Sequence, residues 1–247
     1  MNRLFRLILW IVIIAVLLAG LWLWIAPRFN VRPAGTPSEL RDQRVLSWIL
    51  SEDRNPEWAV HAGERCADAP FQMPTDGFIG YLWDDSFRPG HRHTGLDIFG
   101  GAESGETPVY AAADGYLTRL PEWKSSLIMR LPDDPLQPGR QIWLYYTHLA
   151  DPFGRSHIDA AFPPGTEDVY VPAGTLLGYQ GNYSGTPGAP VGVHLHFSIV
   201  RDNGAGRFLS ELEIENTLDP SPYLGLDVNA HSNLDQIPVC PAAKDAP

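Results

Sequence analysis

The feature that most restricts the fold of this chain is the distribution of apolar residues after Phe71, which occur in short runs separated by glycine, proline and aspartate. Runs of this kind are typical of antiparallel β-strands bounded by turns. Asp114 and Gly115 favour a tight turn between the first two of the clearest strands. We therefore expect a mainly β (α+β) fold, an antiparallel β-sheet or sandwich with few long helices. The predicted strands are PVYAAA from residue 108, YLTRL from residue 116, SLIMRL from residue 126, QIWLYYTHL from residue 141 and VGVHLHFSIV at residues 191–200.

Two connections between these strands are expected to be irregular. The Pro-rich segment PDDPLQPGR at residues 132–140 is a predicted surface loop, and residues 151–168 form a longer excursion of the type that often borders binding sites. The aspartates of the loops are interpreted as turn and solvation residues rather than as a second metal site. They are Asp84, Asp85, Asp133 and Asp134.

Residues 7–26, LILWIVIIAVLLAGLWLWIA, contain no charged side chain. A helix of this length is about 30 Å long, which matches the hydrocarbon core of a bilayer, and tryptophans near both ends suit its interfaces. We interpret residues 1–30 as an uncleaved membrane anchor. A cleavable signal peptide is the alternative, but its apolar core is normally shorter, and WIAP at residues 24–27 offers no small-residue cleavage site. The basic residues on either side do not decide the orientation.

Residues 31–70 are interpreted as a linker and a helical segment. Thr36 can cap a helix that starts at Pro37, and Glu39 completes a capping box. One side of this helix is apolar, so we expect it to pack on the domain or to hold the domain away from the membrane. The apolar residues are Leu40, Val45, Leu46, Ile49 and Leu50.

The folded domain is predicted at residues 71–226, followed by a C-terminal tail at residues 227–247. Cys66 and Cys240 flank this domain and are the only cysteines of the chain. In an oxidising compartment they could form one disulfide, and two unrelated buried thiols are an equally good interpretation. The net charge of -11 argues against a nucleic-acid partner, because such binding depends on basic side chains that neutralise phosphates.

Two histidines interrupt the apolar strand VGVHLHFSIV. The two-residue period of a strand places His194, His196 and Ser198 on one face, with about 7 Å between successive Cα atoms on that face. Both imidazoles therefore project from one rigid surface, where one ring can bind a metal ion while the other reaches a molecule bound to that ion. The opposite face is apolar and can supply the core; it contains Val193, Leu195, Phe197 and Ile199.

The sequence HTGLD, which starts at His93, supplies further metal donors. Imidazole nitrogen and carboxylate oxygen are ordinary zinc ligands, so His93, Asp97 and His196 would form a three-ligand set. Three protein ligands leave the fourth tetrahedral position to water, as in catalytic zinc sites. Gly95 allows a sharp turn between the two donors of this motif. His91 is the one plausible substitute donor.

A further histidine motif, YTHL, ends the strand that begins at residue 141. The strand period places His148 on the same face as Ile142, Leu144 and Tyr146, so taken alone it is interpreted as a core residue. The remaining histidines are interpreted as surface or loop residues. They are His61, His157 and His231.

HTGLD, YTHL and HLHF, in this order, resemble the motifs of the lysostaphin-type zinc metallopeptidases, which cleave peptidoglycan. The similarity extends to VYAAADG, VPAGTLLGYQGNYSG and DPSPYL, and it covers residues 74–224. The resemblance implies the duplicated hybrid motif fold. It also implies a role for each motif histidine and for the aspartate, and every one of these positions is filled. The implied zinc ligands are His93, Asp97 and His196, and the implied catalytic histidines are His148 and His194.

The resemblance further implies a zinc endopeptidase that hydrolyses peptide bonds in peptidoglycan cross-links or stem peptides, and residues 7–26 make it membrane-anchored. Zinc makes a nucleophilic water available near neutral pH and polarises the scissile carbonyl. No HExxH motif is present, so the two catalytic histidines must transfer the protons. Because peptidoglycan lies outside the cytoplasmic membrane, the domain is expected on the periplasmic or extracytoplasmic side. The alternatives are a non-catalytic module of the same fold that binds peptidoglycan or activates another hydrolase, and a purely structural zinc domain; a regulatory protein partner is left open.

Overall fold

The structure is a computed structural model that describes residues 14–15, 37–86, 90–232 and 235–241. The predicted anchor and its signal-peptide alternative lie outside these residues, apart from Ile14 and Ala15, and so does Thr36 of the predicted helix cap. Within the described ranges no helix has both the length and the apolar character needed to cross a bilayer.

The chain divides into two compact units, Met1–Glu39 and Leu40–Pro247. The described part contains helix α1 at Pro37–Leu50, short 3-10 helices and a set of short β-strands. The strands are β1 Ala59–Val60, β2 Gly77–Tyr81, β3 Leu96–Phe99, β4 Pro108–Tyr110, β5 Gly115–Thr118, β6 Leu127–Leu131, β7 Ile142–Thr147, β8 Val169–Val171, β9 Leu176–Tyr179, β10 Leu195–Arg201 and β11 Thr217–Leu218.

The strands form one large sheet and one small sheet, and the described strand pairs are antiparallel. The large sheet has the order β1-β2-β3-β10-β7-β6-β5-β8. β11 pairs with the later residues of β10, which follow those that pair with β3. The small sheet contains β4 and β9. The expectation of a mainly antiparallel β fold is confirmed. Strand β10 lies between β3 and β7, so the HLHF segment runs through the middle of the large sheet.

Strand β10 follows the predicted two-residue alternation. Leu195, Phe197 and Ile199 are fully buried in the main core, where they pack with residues of β7. Burial of each such side chain contributes about 1.5–3 kcal/mol. The strand starts at Leu195 and not at Val191, which is exposed and bonds through its backbone N–H to the Asn182 carbonyl.

The prediction that a tight turn joins two neighbouring, paired strands between residues 108 and 120 is wrong. β4 pairs with β9, with Pro108 opposite Tyr179, whereas β5 pairs with β6 and β8 in the large sheet. Gly115 lies inside β5, where an added Cβ atom would come within 3.0 Å of the Arg130 carbonyl oxygen. The glycine therefore permits close approach to β6, and the partner of β4 is set by contacts that are distant in sequence.

Helix α1 starts at Pro37, as the capping pattern predicts, but its predicted apolar face is largely wrong. The buried face contains Arg41, Val45 and Trp48, whose spacing of four and three residues corresponds to one side of a helix. Trp48 packs against Phe78 and buries the large apolar surface of its indole ring. Three of the predicted contact residues are instead exposed: Leu46, Ile49 and Leu50.

Segments on both sides of the predicted domain contribute to its core. Cys66 and Cys240 are joined by a disulfide bond, which decides between the two interpretations of these cysteines. Val60 precedes the predicted limit at residue 70, Val228 follows the limit at residue 226, and both belong to the main core. The limits themselves stay predictions.

Two of the loop aspartates are buried, although solvation was the expectation for them. Asp85 pairs with Arg41, and Asp134 pairs with Arg140 and accepts a hydrogen bond from Tyr223 Oη. Both are nonetheless turn residues, because each carboxylate accepts backbone N–H groups of its own turn. Neither belongs to the possible metal-binding group of the described residues.

Candidate metal centre

The large sheet brings the histidine motifs together. β3 and β10 are neighbours in which Asp97 lies directly opposite His196, and His93 stands just before β3. β7 lies on the other side of β10 and ends one residue before His148. His194 immediately precedes β10. Residues from HTGLD, YTHL and HLHF therefore meet at one place on the sheet.

Three ligand atoms of this cluster lie close to one point. His93 Nε2 is 3.0 Å from Asp97 Oδ1, His196 Nδ1 is 2.7 Å from the same oxygen, and the two nitrogen atoms are 3.0 Å apart. All three atoms lie within 4.8 Å of one another, and among the described residues they form a group able to hold a metal ion. The predicted ligands thus come within coordinating reach of a single ion.

The hydrogen bonds behind the rings indicate which nitrogen atoms face the cluster. His93 Nδ1 lies 2.9 Å from the Leu82 carbonyl oxygen, which only accepts, so Nδ1–H donates and Nε2 faces the cluster. His196 Nε2 lies 2.8 Å from Ser198 Oγ, which leaves Nδ1 facing the cluster. When neither of these nitrogen atoms carries a proton, their lone pairs and the carboxylate oxygen repel one another at these distances, and a proton or a metal ion among them removes the repulsion. This donor set, with a carbonyl and a hydroxyl behind the rings, fits zinc.

The electrostatics of the cluster also favour a bound cation. Burial raises the pKa of Asp97, but His93 and His194 outweigh this effect and hold the pKa of the carboxyl group well below its usual range. Burial lowers the pKa of His196 and His148, and it lowers the pKa of His194 to about 3. Burial acts on His93 in the same direction, yet attraction to Asp97 is stronger and raises its pKa. A metal ion and a proton on His93 therefore compete for one position beside an anionic carboxylate.

The two predicted catalytic histidines lie beside the ligand group. Nδ1 of His148 donates to the Tyr183 carbonyl oxygen, and Nδ1 of His194 donates to the Gly192 carbonyl oxygen, both at 2.7 Å. Each ring therefore presents its Nε2 lone pair. The two ring centroids are 4.5 Å apart, and His194 Nε2 is 3.5 Å from Asp97 Oδ1. The structure places all five predicted site residues in one cluster, while their roles stay predictions.

The strand period misplaces the His148 side chain. Ile142, Leu144 and Tyr146 are fully buried in the core, but β7 ends at Thr147 and His148 has a φ angle of 72°. This left-handed conformation costs a non-glycine residue about 1–2 kcal/mol. It ends the alternation, and His148 lines a cleft with Thr147 and is not a core residue. Backbone strain of this kind is often found at functional sites.

The chain bends at Gly95, as expected, but close packing and not the bend requires a glycine there. Its φ angle is not positive. An added Cβ atom would lie 2.3 Å from the Phe197 carbonyl oxygen and 2.5 Å from Ser198 Oγ. Only glycine therefore allows the segment between His93 and Asp97 to approach β10 this closely.

The ligand group lies in a cleft with a volume of about 410 Å³. Tyr145 Oη donates to Ser126 Oγ at 2.9 Å, and Ser126 Oγ is 2.7 Å from Thr147 Oγ1, so a row of hydroxyl groups adjoins the histidines. Sequence reasoning missed these residues. The one available signal was the strand period, which places Tyr145 and Thr147 opposite the core face. Further lining residues outside the motifs are Tyr183, Glu211 and Leu212.

The other histidines do not join the ligand group. His91, the plausible substitute donor, lines the cleft but is not part of the metal-binding group. His61 and His231 are exposed, as predicted. His157 is partly buried, with Nε2 3.0 Å from Ser104 Oγ.

Comparisons with known proteins agree with the resemblance of the motifs but are distant. Neither a family model nor a curated protein matches the chain. A structure from Pseudomonas aeruginosa assigned to peptidase M23 has 21% identity and a TM-score of 0.37, covering 75% of this chain and 61% of that one. Lysostaphin has 21% identity and a TM-score of 0.38, covering 66% of this chain and 55% of that one. A mutant catalytic domain of the prophage-encoded M23 protein EnpA from Enterococcus faecalis has 20% identity and a TM-score of 0.34, covering 61% of this chain and 94% of that one.

The chain thus spans less than two thirds of the length of the first and second of these structures. The TM-scores are low, so the likenesses carry no argument about activity. They are M23 and lysostaphin-type proteins, the family that the motifs resemble. What the chain does has to be inferred from its own site.

Proposed function

We propose that the chain is a zinc-dependent endopeptidase that hydrolyses peptide bonds in the cross-links or stem peptides of peptidoglycan. The observation that carries the proposal is the convergence of His93 Nε2, Asp97 Oδ1 and His196 Nδ1 on one point of a cleft. Three protein ligands beside a cleft are typical of hydrolytic zinc sites, whereas structural sites are closed by four. The choice of peptidoglycan as substrate rests on the resemblance of HTGLD, YTHL and HLHF to lysostaphin-type enzymes.

Bound zinc supplies a Lewis acid that activates water and polarises a carbonyl group. Burial lowers the pKa of both His148 and His194, so both rings are neutral at pH 7 and present their Nε2 lone pairs. We assign proton transfer from the attacking water to the leaving amine to His148, because its Nε2 lone pair is presented to the cleft whereas His194 Nε2 lies 3.5 Å from Asp97 Oδ1. His194 Nε2 would accept a hydrogen bond from the water and orient it.

The cleft surface beside the histidines suits an extended polar peptide. The linked hydroxyl groups of Thr147, Ser126 and Tyr145 can bond to amide groups of a substrate. Burial raises the pKa of Tyr145 to about 12, so at neutral pH its hydroxyl keeps the proton that it donates to Ser126 Oγ. These hydroxyl groups suit the backbone amides of a peptide, and Val191 and Leu212 give the same cleft an apolar part.

The test is incubation of the zinc-loaded full-length chain with isolated peptidoglycan sacculi. We expect newly freed amino groups, and mass spectrometry of the released muropeptides identifies the bond cleaved. Chelation of zinc should abolish the release, and the variant His148→Ala should lose most of it. His61→Ala, a substitution of an exposed histidine outside the cleft, is the matched control and should cleave like the unmodified chain.

Two other results would overturn the proposal. Zinc-loaded chain that binds sacculi without freeing amines would indicate a non-catalytic binding or activating module. Zinc that is inaccessible to small chelating inhibitors would indicate a structural site.

We further propose that residues 7–26 anchor the chain in the cytoplasmic membrane, with the catalytic domain on the extracytoplasmic side where peptidoglycan lies. The support is the uncharged length of this segment, which suffices to cross the hydrocarbon core. Protease added to spheroplasts should degrade the domain. A domain that stays shielded until the membrane is lysed would contradict the assignment.

A further inference from the structure

Helix α1 contacts the segments that hold the metal centre, although none of its residues belongs to the histidine motifs. Its buried residues Arg41 and Trp48 both bond to residues that touch the cluster. We propose that α1 is a positioning element of the metal centre, in which Arg41 fixes the ligand His93 through Asp85. The inference rests on the proposed zinc site, but it does not depend on the reaction or on the substrate.

The first link is a buried ion pair. Arg41 Nη1 donates to Asp85 Oδ2 at 2.5 Å, and the side chains of the two residues are only 6% and 5% exposed. The Asp85 carboxylate also accepts the backbone N–H groups of Leu82 at 3.3 Å and Ser86 at 3.1 Å. A buried carboxylate that loses its cationic partner is strongly destabilised, so Arg41 determines whether Asp85 can hold this turn closed.

The second link joins this turn to the metal ligand. The Leu82 carbonyl oxygen accepts the His93 Nδ1–H at 2.9 Å, and the His93 backbone N–H donates to the Asp85 carbonyl oxygen at 2.8 Å. The Asp84 backbone N–H donates to the His93 carbonyl oxygen at 2.8 Å. Both the ring and the backbone of His93 are therefore fixed by residues whose conformation Asp85 sets.

Two further contacts of α1 reach the same cluster. Tyr81 Oη donates to Asp42 Oδ1 at 2.5 Å, and the Tyr81 ring packs edge-on against His93 with centroids 6.3 Å apart. Trp48 Nε1 donates to the Phe99 carbonyl oxygen at 2.7 Å, and the Phe99 ring stacks on His194 with centroids 5.0 Å apart. The helix thus supports a metal ligand and a neighbouring histidine.

A positioning role has a consequence that a purely structural role lacks. Ligand atoms must stay within about 0.2 Å of their bonding distances, and loss of a residue that orients a ligand typically weakens metal binding about 10- to 100-fold. A helix that only stabilised the fold would change the unfolding temperature and leave the metal affinity of the folded chain unaltered.

The experiment measures the zinc dissociation constant of the full-length chain by competition with a chromophoric chelator. We expect Arg41→Gln and Asp85→Asn each to raise this constant by about 10- to 100-fold. The double variant should lose no more zinc affinity than the more strongly affected single variant, because both substitutions break the same chain of contacts. Arg44→Gln is the matched control: Arg44 lies on the same helix but donates to the carbonyl of Asp235, and it should bind zinc like the unmodified chain.

Thermal unfolding in excess chelator shows whether each variant is folded. If Arg41→Gln does not fold, Arg41→Lys decides the question, since it keeps the charge but not the geometry of the guanidinium group and should still raise the zinc dissociation constant more than twofold. A folded Arg41 variant with a zinc dissociation constant within twofold of the unmodified chain would overturn the inference and leave the zinc site intact. An unmodified chain that binds no zinc would overturn the proposed function as well.

Discussion

Replacing Gly95 with alanine tests whether the metal centre depends on the close approach of its HTGLD segment to β10. The added Cβ atom would lie 2.3 Å from the Phe197 carbonyl oxygen, about 1 Å short of the 3.4 Å at which ordinary contact begins. The obstructing atom belongs to the backbone of β10. A strand, and not the end of a flexible side chain, must therefore move.

This movement should damage metal binding more than folding. Asp97 Oδ1 and His196 Nδ1 are 2.7 Å apart, and they sit on the two strands that the new methyl group would separate. Metal sites tolerate displacements of only about 0.2 Å. We expect zinc affinity to fall by at least about 100-fold, equivalent to about 2.7 kcal/mol, while overpacking lowers the free energy of unfolding by about 1–3 kcal/mol.

Chelator competition measures the zinc affinity, and chemical unfolding in excess chelator measures the free energy of unfolding. Gly115→Ala is the matched control, because its Cβ atom would also crowd a strand backbone, at 3.0 Å from the Arg130 carbonyl oxygen, but in strands that carry none of the metal ligands. The control should bind zinc like the unmodified chain. A zinc affinity of Gly95→Ala within threefold of the unmodified chain, or an equal loss in both variants, would refute the reasoning.

Three further predictions concern stability and the identity of the metal site. Replacing Cys66 and Cys240 together with alanine removes a bridge between residues 174 positions apart and should lower the free energy of unfolding by up to about 5 kcal/mol, measured by denaturant titration. Burial lowers the pKa of His194 in the folded chain to about 3, so below about pH 6.5 only the unfolded chain gains this proton, and the free energy of unfolding decreases as the pH is lowered. Between pH 7 and pH 5 the metal-free chain should lose about 2 kcal/mol of this free energy that His194→Gln does not lose. Equal losses in the two chains would contradict this prediction. Asp134→Asn should lower the free energy of unfolding by about 1–3 kcal/mol through Arg140 and Tyr223 but leave zinc affinity unchanged, and a weakened affinity would indicate a second metal site.

Local patterns in the sequence predict the parts of the site that one strand or one motif determines. The alternation around His194 and His196 gives the core face of β10, because side-chain direction in a strand depends only on sequence position. The donor types of HTGLD and HLHF also indicate a zinc site, because the ligand chemistry of imidazole and carboxylate groups depends on residue type alone. That these motifs meet follows from the pairing of β3 with β10, which the resemblance implies and the structure displays.

Features that depend on contacts distant in sequence could not be predicted in this way. The partner of β4 is β9, and nothing in the residues next to β4 distinguishes β9 from β5. The Arg41–Asp85 pair joins residues 44 positions apart, so Asp85 reads as an ordinary turn residue until the helix is placed. The positive φ angle of His148 ends the strand period at the residue where the site needs it, and no local pattern signals that change.

The central claim is that His93, Asp97 and His196 hold the metal while His148 acts on the substrate. Zinc content and peptidoglycan cleavage of the full-length chain, compared between His196→Ala and His148→Ala, test this claim most directly. We predict one zinc ion per chain in the unmodified protein and in His148→Ala, none in His196→Ala, and loss of most cleavage in both variants. Equal zinc content in the two variants, or full cleavage by His148→Ala, would contradict it.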